Sequence, residues 1–210
     1  ISVAEIDKIV EQYGEAATRA KEASCDGIEI HAAHGYQLVG SFLSPLRNKR
    51  TDDYGGSVEN RLRFPLEIIK NMREKVGPDF PIIMRVSGDE LSPGGLTIRD
   101  TQFIAPKLVE AGIDAFDVSS GAMFTQQNWR IIAPSGTPYG LNTFLSAAVK
   151  EAVDVPVIAV GRIVDPLFAE DILLNNQADM VAMCRALLAD PQWPQKAKEG
   201  RLDDIIPCIG

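Results

Sequence analysis

The two histidines of the sequence lie close to a tyrosine, and this group has the highest local density of side chains able to donate hydrogen bonds or protons. His31 and His34 are three residues apart, and Tyr36 follows two positions later. Imidazoles and phenols act as hydrogen-bond and proton donors in active sites. The segment by itself leaves three interpretations open: a catalytic group, a zinc site or two structural histidines. No acidic or cysteine ligand stands at a convincing third position, which disfavours zinc.

The elements that position these side chains alternate regularly between helix and strand. Apolar periodicity and capping signals predict helices over residues 3–24, 57–77, 97–112, 142–153 and 166–175. Short strands rich in Val, Ile and Met are predicted between them, at 28–31, 81–86, 115–119, 157–160 and 180–183. Two long loops are expected, from about residue 32 to 57 and from about 121 to 142. This alternation is typical of a parallel sheet covered by helices.

An open sheet and a closed barrel both fit this order of elements, and two features favour the barrel. No GxGxxG follows a predicted strand, which weakens the dinucleotide-binding open sheet. Polar and glycine residues follow successive strands, at the end where barrels build active sites, namely His31, Arg85, Ser119, Gly161, Cys184 and Arg185. We therefore predict an α/β fold, a (β/α)8 TIM barrel.

The length of the chain predicts only part of such a barrel. A complete barrel takes about 250 residues, whereas this chain has 210, begins at Ile1 without Met and provides five βα units. The five units correspond to about strands 4 to 8, and we expect the earlier units to precede Ile1. Residues 1–210 are predicted to form one partial barrel domain.

Composition and charge exclude several classes of partner. Apolar residues make up 45% of the chain, as in ordinary globular proteins, and the formal net charge is −8 without a Lys/Arg run, so nucleic acid is not an expected partner. No apolar stretch approaches the ~20 residues of a membrane span, and no signal-peptide pattern opens the chain. Three widely separated cysteines do not predict a disulfide framework. We expect a cytoplasmic protein with a small-molecule partner.

Three segments resemble the old yellow enzyme family. They are DGIEIHAAHGY at 26–36, FLSP at 42–45 and NKRTDDYGGSVENR at 48–61. The branch that they are most similar to contains bacterial enone reductases, 2,4-dienoyl-CoA reductases and 2-enoate reductases. The strand order on both sides also agrees, so the resemblance covers essentially the whole chain. It implies an FMN-dependent barrel enzyme that takes hydride from NADH or NADPH.

The resemblance also implies roles for the histidines and the tyrosine. His31 and His34 would hydrogen-bond the carbonyl oxygen of an enone or enoyl substrate, as the family's HxxH pair does. Tyr36 would donate a proton to the α-carbon. Donors fixed at a developing oxyanion stabilise it, and a tyrosine hydroxyl is protonated at neutral pH, so both roles agree with the chemistry of these residues.

The residues after the later strands would hold the cofactor. Arg85 matches the family's arginine beside the flavin pyrimidine, although a strand-end salt bridge is the alternative. The phosphate-binding positions of the family correspond to Gly161, Arg162, Cys184 and Arg185. Ser119 would border flavin or substrate, or simply belong to a turn. Cys184 departs from the glycine found in many members.

Two further features bear on the branch of the family. The loop over 121–142 has no histidine, whereas the dienoyl-CoA reductases carry a catalytic one there. Its residues Met123, Phe124, Trp129 and Tyr139 suit an apolar substrate wall or a packed loop. Residues 207–210 resemble the start of the family's [4Fe-4S] segment, with Cys208 as a possible first ligand in a longer parent; this chain alone lacks the remaining ligands.

Two alternatives stay open at the level of the sequence. The chain could be a non-catalytic half barrel, whose open sheet edge would invite association into a homo-oligomer, the state we expect. It could also be a phosphate-binding barrel of other chemistry, although no lysine follows a strand in a Schiff-base position.

Overall fold

A computed structural model describes residues 1–209 of the chain. The first helix, α1, spans Val3–Glu22 and begins at the capping box predicted from Ser2 and Glu5. The other helices are α2 (Leu38–Leu43), α3 (Val58–Val76), α4 (Ile98–Ala111), α5 (Thr143–Lys150), α6 (Pro166–Leu174), α7 (Arg185–Ala189) and α8 (Trp193–Lys198). Short 3₁₀ helices span Asn128–Arg130 and Leu202–Asp204.

Five parallel strands form one sheet in sequence order. They are β1 (Ile28–Ala32), β2 (Ile82–Asp89), β3 (Ala115–Ser120), β4 (Val157–Val160) and β5 (Met180–Ala182). Each strand pairs with the next one along the chain, and at least one helix lies in every connection. The predicted α/β class with a parallel, helix-covered sheet is confirmed.

The two faces of the sheet differ in polarity because alternate side chains point to opposite sides. Ile30, Met84 and Phe116 are aligned across three strands and are buried in the main core together with helix residues. On the opposite face the aligned set is His31, Arg85 and Asp117. The register therefore gathers polar residues on the face turned away from the helices.

The structure contains two unpredicted helices near the end of the chain, α7 and α8, and it corrects the predicted elements after β1, at the end of β2 and at the end of α5. The predicted loop after the first strand contains α2, a helix too short to show periodicity, which forms because Val39 and Phe42 are buried against its surroundings. Strand β2 continues to Asp89, three residues beyond its predicted end, through a register shift opposite β3. Helix α5 ends at Lys150 instead of 153.

No helix among residues 1–209 combines the length and the apolar character that crossing a membrane would require.

Candidate active site

The two histidines and the tyrosine predicted to do chemistry form one cluster after β1. The Nε2 atom of His31 lies 2.9 Å from the hydroxyl of Tyr36, and the Nε2 atom of His34 lies 2.9 Å from the hydroxyl of Ser119. The two imidazole centroids are 5.4 Å apart, and the rings of His34 and Tyr36 stack at 6.0 Å. Tyr36 keeps 38% of its surface exposed, whereas His34 keeps 3%. The cluster thus has one accessible edge and one buried edge.

The backbone of this loop is held by neighbouring strand ends. His34 has φ of 67° and Gly35 has φ of 64°, so the chain turns in left-handed geometry between the histidine and the tyrosine. The His34 amide donates to the hydroxyl of Ser87, which in turn donates to the carbonyl of Gly121. The carbonyl of His34 accepts from the amide of Met123 at 2.9 Å. These bonds tie the loop after β1 to strand β2 and to the loop after β3, and they orient the cluster.

Burial keeps both imidazoles neutral. Desolvation, reinforced by the Arg85 cation and by His31, lowers the pKa of His34 from 6.5 to about 3. Desolvation and Arg85 also lower the pKa of His31. The Nδ1 atoms of both rings are buried and have no hydrogen-bond partner among the described residues. Each neutral ring therefore keeps one nitrogen that is not engaged by the protein.

The low pKa of His34 predicts acid sensitivity. The folded state resists protonating this ring and the unfolded state does not, so the stabilising contribution is full above pH 6.5 and is lost as the pH falls towards 3. Between pH 6.5 and pH 5 the free energy of unfolding should fall by about 2 kcal/mol from this group. Urea denaturation at both pH values measures the loss. The His34→Asn protein has no titrating group at this position, so its free energy of unfolding should fall by correspondingly less over the same pH range. An equal fall in the wild type and in His34→Asn would show that the acid sensitivity does not come from His34.

Arg85 is paired with a buried carboxylate that the sequence did not single out. Its Nη1 atom donates to Oδ2 of Asp117 at 2.6 Å, and Asp117 is only 3% exposed. Burial raises the pKa of Asp117, while Arg85 opposes the rise. The strand-end salt bridge weighed for Arg85 is therefore present. The ion pair also fixes the guanidinium at the wall of a cavity.

That cavity, which we call the arginine cavity, has a volume of about 450 Å³ and lies at the carboxyl ends of β3 to β5, with Arg85 of β2 on its wall. All the residues predicted to hold the cofactor line this cavity, namely Arg85, Gly161, Arg162, Cys184 and Arg185. Ser119 and Cys208 line it as well. His31, His34 and Tyr36 do not line it. Ser119 joins the two regions, because its hydroxyl contacts His34 while its residue lines the cavity.

The arginine cavity is strongly cationic. Among the described residues, four arginines and no Asp or Glu line it. Arg162 donates to the carbonyl of Thr137, and Arg185 donates to that of Ala133 at 2.7 Å, so both contact the 121–142 loop. Gly161 has φ of 134°, and a Cβ there would lie 3.0 Å from Asn142, so the glycine keeps the wall open. Such a surface suits a phosphate-bearing ligand.

Arg130 is the fourth arginine, and sequence analysis missed it. It lies on the 3₁₀ turn of the 121–142 loop, and its guanidinium stacks on Trp129 at 4.9 Å. Its Nε and Nη1 atoms are buried without a partner among residues 1–209. Buried charged donors without a partner are costly, so an anion is the expected occupant beside these two nitrogens. Its location in a loop without periodic signal left no local clue.

The cysteines of the site are free thiols. Cys184 is exposed at the start of α7, and Cys208 is partly buried at the arginine cavity. Within residues 1–209, no group of three or more Cys, His, Asp or Glu side chains is arranged to hold a metal ion. Gly210, the last residue of the predicted iron-sulfur segment, lies outside the described residues.

Comparisons with known proteins agree with this architecture. The family described as NADH:flavin oxidoreductase / NADH oxidase matches residues 1–204. An NADH oxidase from Thermoanaerobacter brockii is 47% identical over 209 residues, which are 100% of this chain and 32% of that protein. A cinnamate reductase from Clostridium sporogenes is 35% identical over 223 residues, covering 100% of this chain and 33% of that protein.

A solved structure gives the same result in three dimensions. The complex of 2-naphthoyl-CoA reductase with 2-naphthoyl-CoA superimposes with a TM-score of 0.92 and 34% identity, over 99% of this chain and 31% of that chain. The chain thus spans about a third of the length of these proteins. Partial coverage of barrel enzymes agrees with the prediction of an incomplete barrel. The chain belongs to the NADH:flavin oxidoreductase / NADH oxidase family, the old yellow enzyme family, and its sheet is part of a TIM barrel.

Proposed function

We propose that the protein is an FMN-dependent oxidoreductase that uses NADH or NADPH to reduce the activated C=C bond of an α,β-unsaturated carbonyl compound. The observation that carries the proposal is the connection between the two regions of the site. Ser119 links the buried side of the His31, His34 and Tyr36 cluster to the arginine cavity. Proton donors and an anion-binding cavity therefore adjoin at one end of the sheet.

The residues of the arginine cavity fit FMN. Arg162 and Arg185 would bind the phosphate at the ends of β4 and β5, and Gly161 would leave the backbone accessible to it, whereas the side chain of Cys184 narrows that access slightly. Arg130 would add a third cation, which satisfies its two unpartnered nitrogens. Arg85, held by Asp117, would lie near the flavin ring. When bound, FMN supplies the hydride chemistry of the reaction.

The clustered residues would act on the carbonyl compound itself. The imidazole centroids are 5.4 Å apart, and each ring has an Nδ1 atom without a hydrogen-bond partner among residues 1–209, so the two rings would donate to one carbonyl oxygen bound between them. Negative charge grows on that oxygen as hydride reaches the β-carbon, and neutral imidazole N–H donors stabilise it. Tyr36 then transfers its hydroxyl proton to the α-carbon, which completes addition of H⁻ and H⁺ across the double bond.

The relatives support this class of reaction. One relative is named cinnamate reductase and another NADH oxidase, and the solved structure is a 2-naphthoyl-CoA reductase. Each name describes transfer of reducing equivalents, and two describe reduction of an unsaturated acid derivative.

The cofactor assignment is tested at Arg130. In the Arg130→Gln protein, FMN affinity should fall by roughly 10- to 100-fold, because a charge-assisted contact to the phosphate is lost. Riboflavin, which has no phosphate, should bind with unchanged affinity. Flavin fluorescence titration measures both. Arg201→Gln, which removes an exposed arginine paired with Glu199 and Asp204, serves as the matched control. Equal losses for FMN and riboflavin would remove Arg130 from the phosphate site.

The reaction is tested by two anaerobic half-reactions. NADH or NADPH should bleach the visible flavin band of the loaded protein, and an enone such as benzylideneacetone should restore it. A bleached flavin that no enone reoxidises would overturn the proposed reaction.

A half barrel without activity is the second candidate, because β1 and β5 are both edge strands of the sheet in residues 1–209. Failure of the purified chain to take up any flavin, with uptake restored when further βα units close the sheet, would favour that candidate for the isolated chain.

A further inference from the structure

A second cavity, which we call the Arg47 cavity, adjoins the histidine cluster on a different side. Its volume is about 270 Å³, and it shares no lining residue with the arginine cavity. His34 forms part of its wall, and the rest comes from residues 46–47 and 122–125. The His34–Ala122 bridge and the hydrogen bond from the Met123 amide to the His34 carbonyl connect its two sides. The Arg47 cavity therefore borders the histidine cluster at His34.

Arg47 is the only charged residue that lines this cavity among the described residues. Its guanidinium lies 4.5 Å from the centroid of the Phe124 ring, and it takes part in none of the hydrogen bonds or ion pairs formed by side chains of residues 1–209. The neighbouring cations differ: Lys49 donates to the Pro45 carbonyl, and Arg50 is paired with Asp52. Arg47 thus has its full set of donors available in a protein of net charge −8.

Four of the other lining residues of the Arg47 cavity are apolar, namely Leu46, Ala122, Met123 and Phe124. Phe124 is 67% exposed, and Met123 is also exposed beside it. The Cγ atom of Arg47 lies near Gly35, the residue between His34 and Tyr36 in the chain. A planar guanidinium above an apolar wall is suited to a carboxylate carried on an apolar or aromatic group.

We propose that the Arg47 cavity binds a carboxylate at the far end of the substrate, and that Arg47 selects unsaturated carbonyl compounds bearing such an acid group over neutral ones. The inference rests on the proposed function, since it places the reacting carbonyl at His31 and His34. The apolar spacer packs on Met123 and Phe124, and the terminal carboxylate pairs with Arg47. Arg47 is a specificity residue and has no part in proton transfer.

The test compares two substrates that differ at one group, which is a carboxylate in one and its uncharged methyl ester in the other. One is 4-(3-oxobut-1-enyl)benzoate, and the other is its methyl ester. In the flavin-loaded Arg47→Gln protein, KM for the acid should rise about 10- to 100-fold while kcat changes less than twofold. KM for the ester and for NADH should stay within twofold. Arg47→Lys should recover part of the affinity, and Lys49→Gln should behave as wild type.

Binding measured without turnover separates this inference from the proposed function. The saturated keto acid, 4-(3-oxobutyl)benzoate, should bind the wild-type holoprotein in calorimetry and lose affinity by the same factor in Arg47→Gln. If the wild type reduces neither enone, the proposed function fails, while this titration still reports on Arg47. Equal effects on the acid and the ester, or an increase in KM for NADH alone, would overturn the carboxylate site.

Discussion

Replacement of Tyr36 by phenylalanine should slow enone reduction by roughly 10²- to 10⁴-fold, the range for loss of a positioned general acid. The hydroxyl lies 2.9 Å from Nε2 of His31 at the accessible edge of the cluster, where a substrate α-carbon can approach it. Flavin content and the rate of flavin reduction by the nicotinamide should not change, because Tyr36 does not line the arginine cavity. Stopped-flow measurement of the two half-reactions resolves the effect.

The matched control for this substitution is Tyr13→Phe. Tyr13 lies on α1 and packs against the core. The substitution removes the same hydroxyl group from a residue outside the cluster. It should retain wild-type rates. A Tyr36→Phe protein whose oxidative half-reaction is as fast as that of Tyr13→Phe would show that the proton comes from another donor.

His31→Ala should lower kcat for the enone by roughly 10²- to 10³-fold, the usual cost of one oxyanion donor. Burial and Arg85 lower the pKa of His31, so the ring acts as a neutral N–H donor near pH 7. The rate should therefore show no inflection from this group between pH 7 and pH 8. His31→Ala also removes the imidazole that contacts the Tyr36 hydroxyl, and this lowers kcat further.

His31→Asn distinguishes a donor from a mere packing residue. An asparagine amide can donate a hydrogen bond from a similar position, so we expect this variant to recover at least tenfold of the rate lost in His31→Ala, on the scale of one charge-assisted bond. Steady-state kinetics at saturating NADH measures both variants. If alanine and asparagine are equally impaired, His31 does not polarise the carbonyl.

Local signals in the sequence determined most of the secondary structure. Ser2 with Glu5 and Thr97 with Asp100 form the two predicted capping boxes, and β4 has its predicted bounds. These features depend on residues a few positions apart, so they can be predicted without knowledge of the tertiary structure. The same holds for the DGIEIHAAHGY segment, whose chemistry is contained in eleven consecutive residues. Helix α2 was not predicted, because its six residues are stabilised mainly by burial of Val39 and Phe42.

The environment of the site was decided by the tertiary structure. Sheet register places Asp117 opposite Arg85, and a contact across 85 positions joins His34 to Ser119. Arg130 and Arg47 lie in loops without a periodic pattern. Only the folded chain shows that Arg130 has two buried, unpartnered nitrogens and that the guanidinium of Arg47 lies beside the ring of Phe124. The sequence by itself thus determined the alternation of elements and the grouping of His31, His34 and Tyr36 in one short segment, because both are encoded locally. Only the tertiary structure decided which arginines are paired and which face a cavity, because pairing and burial depend on contacts between distant segments.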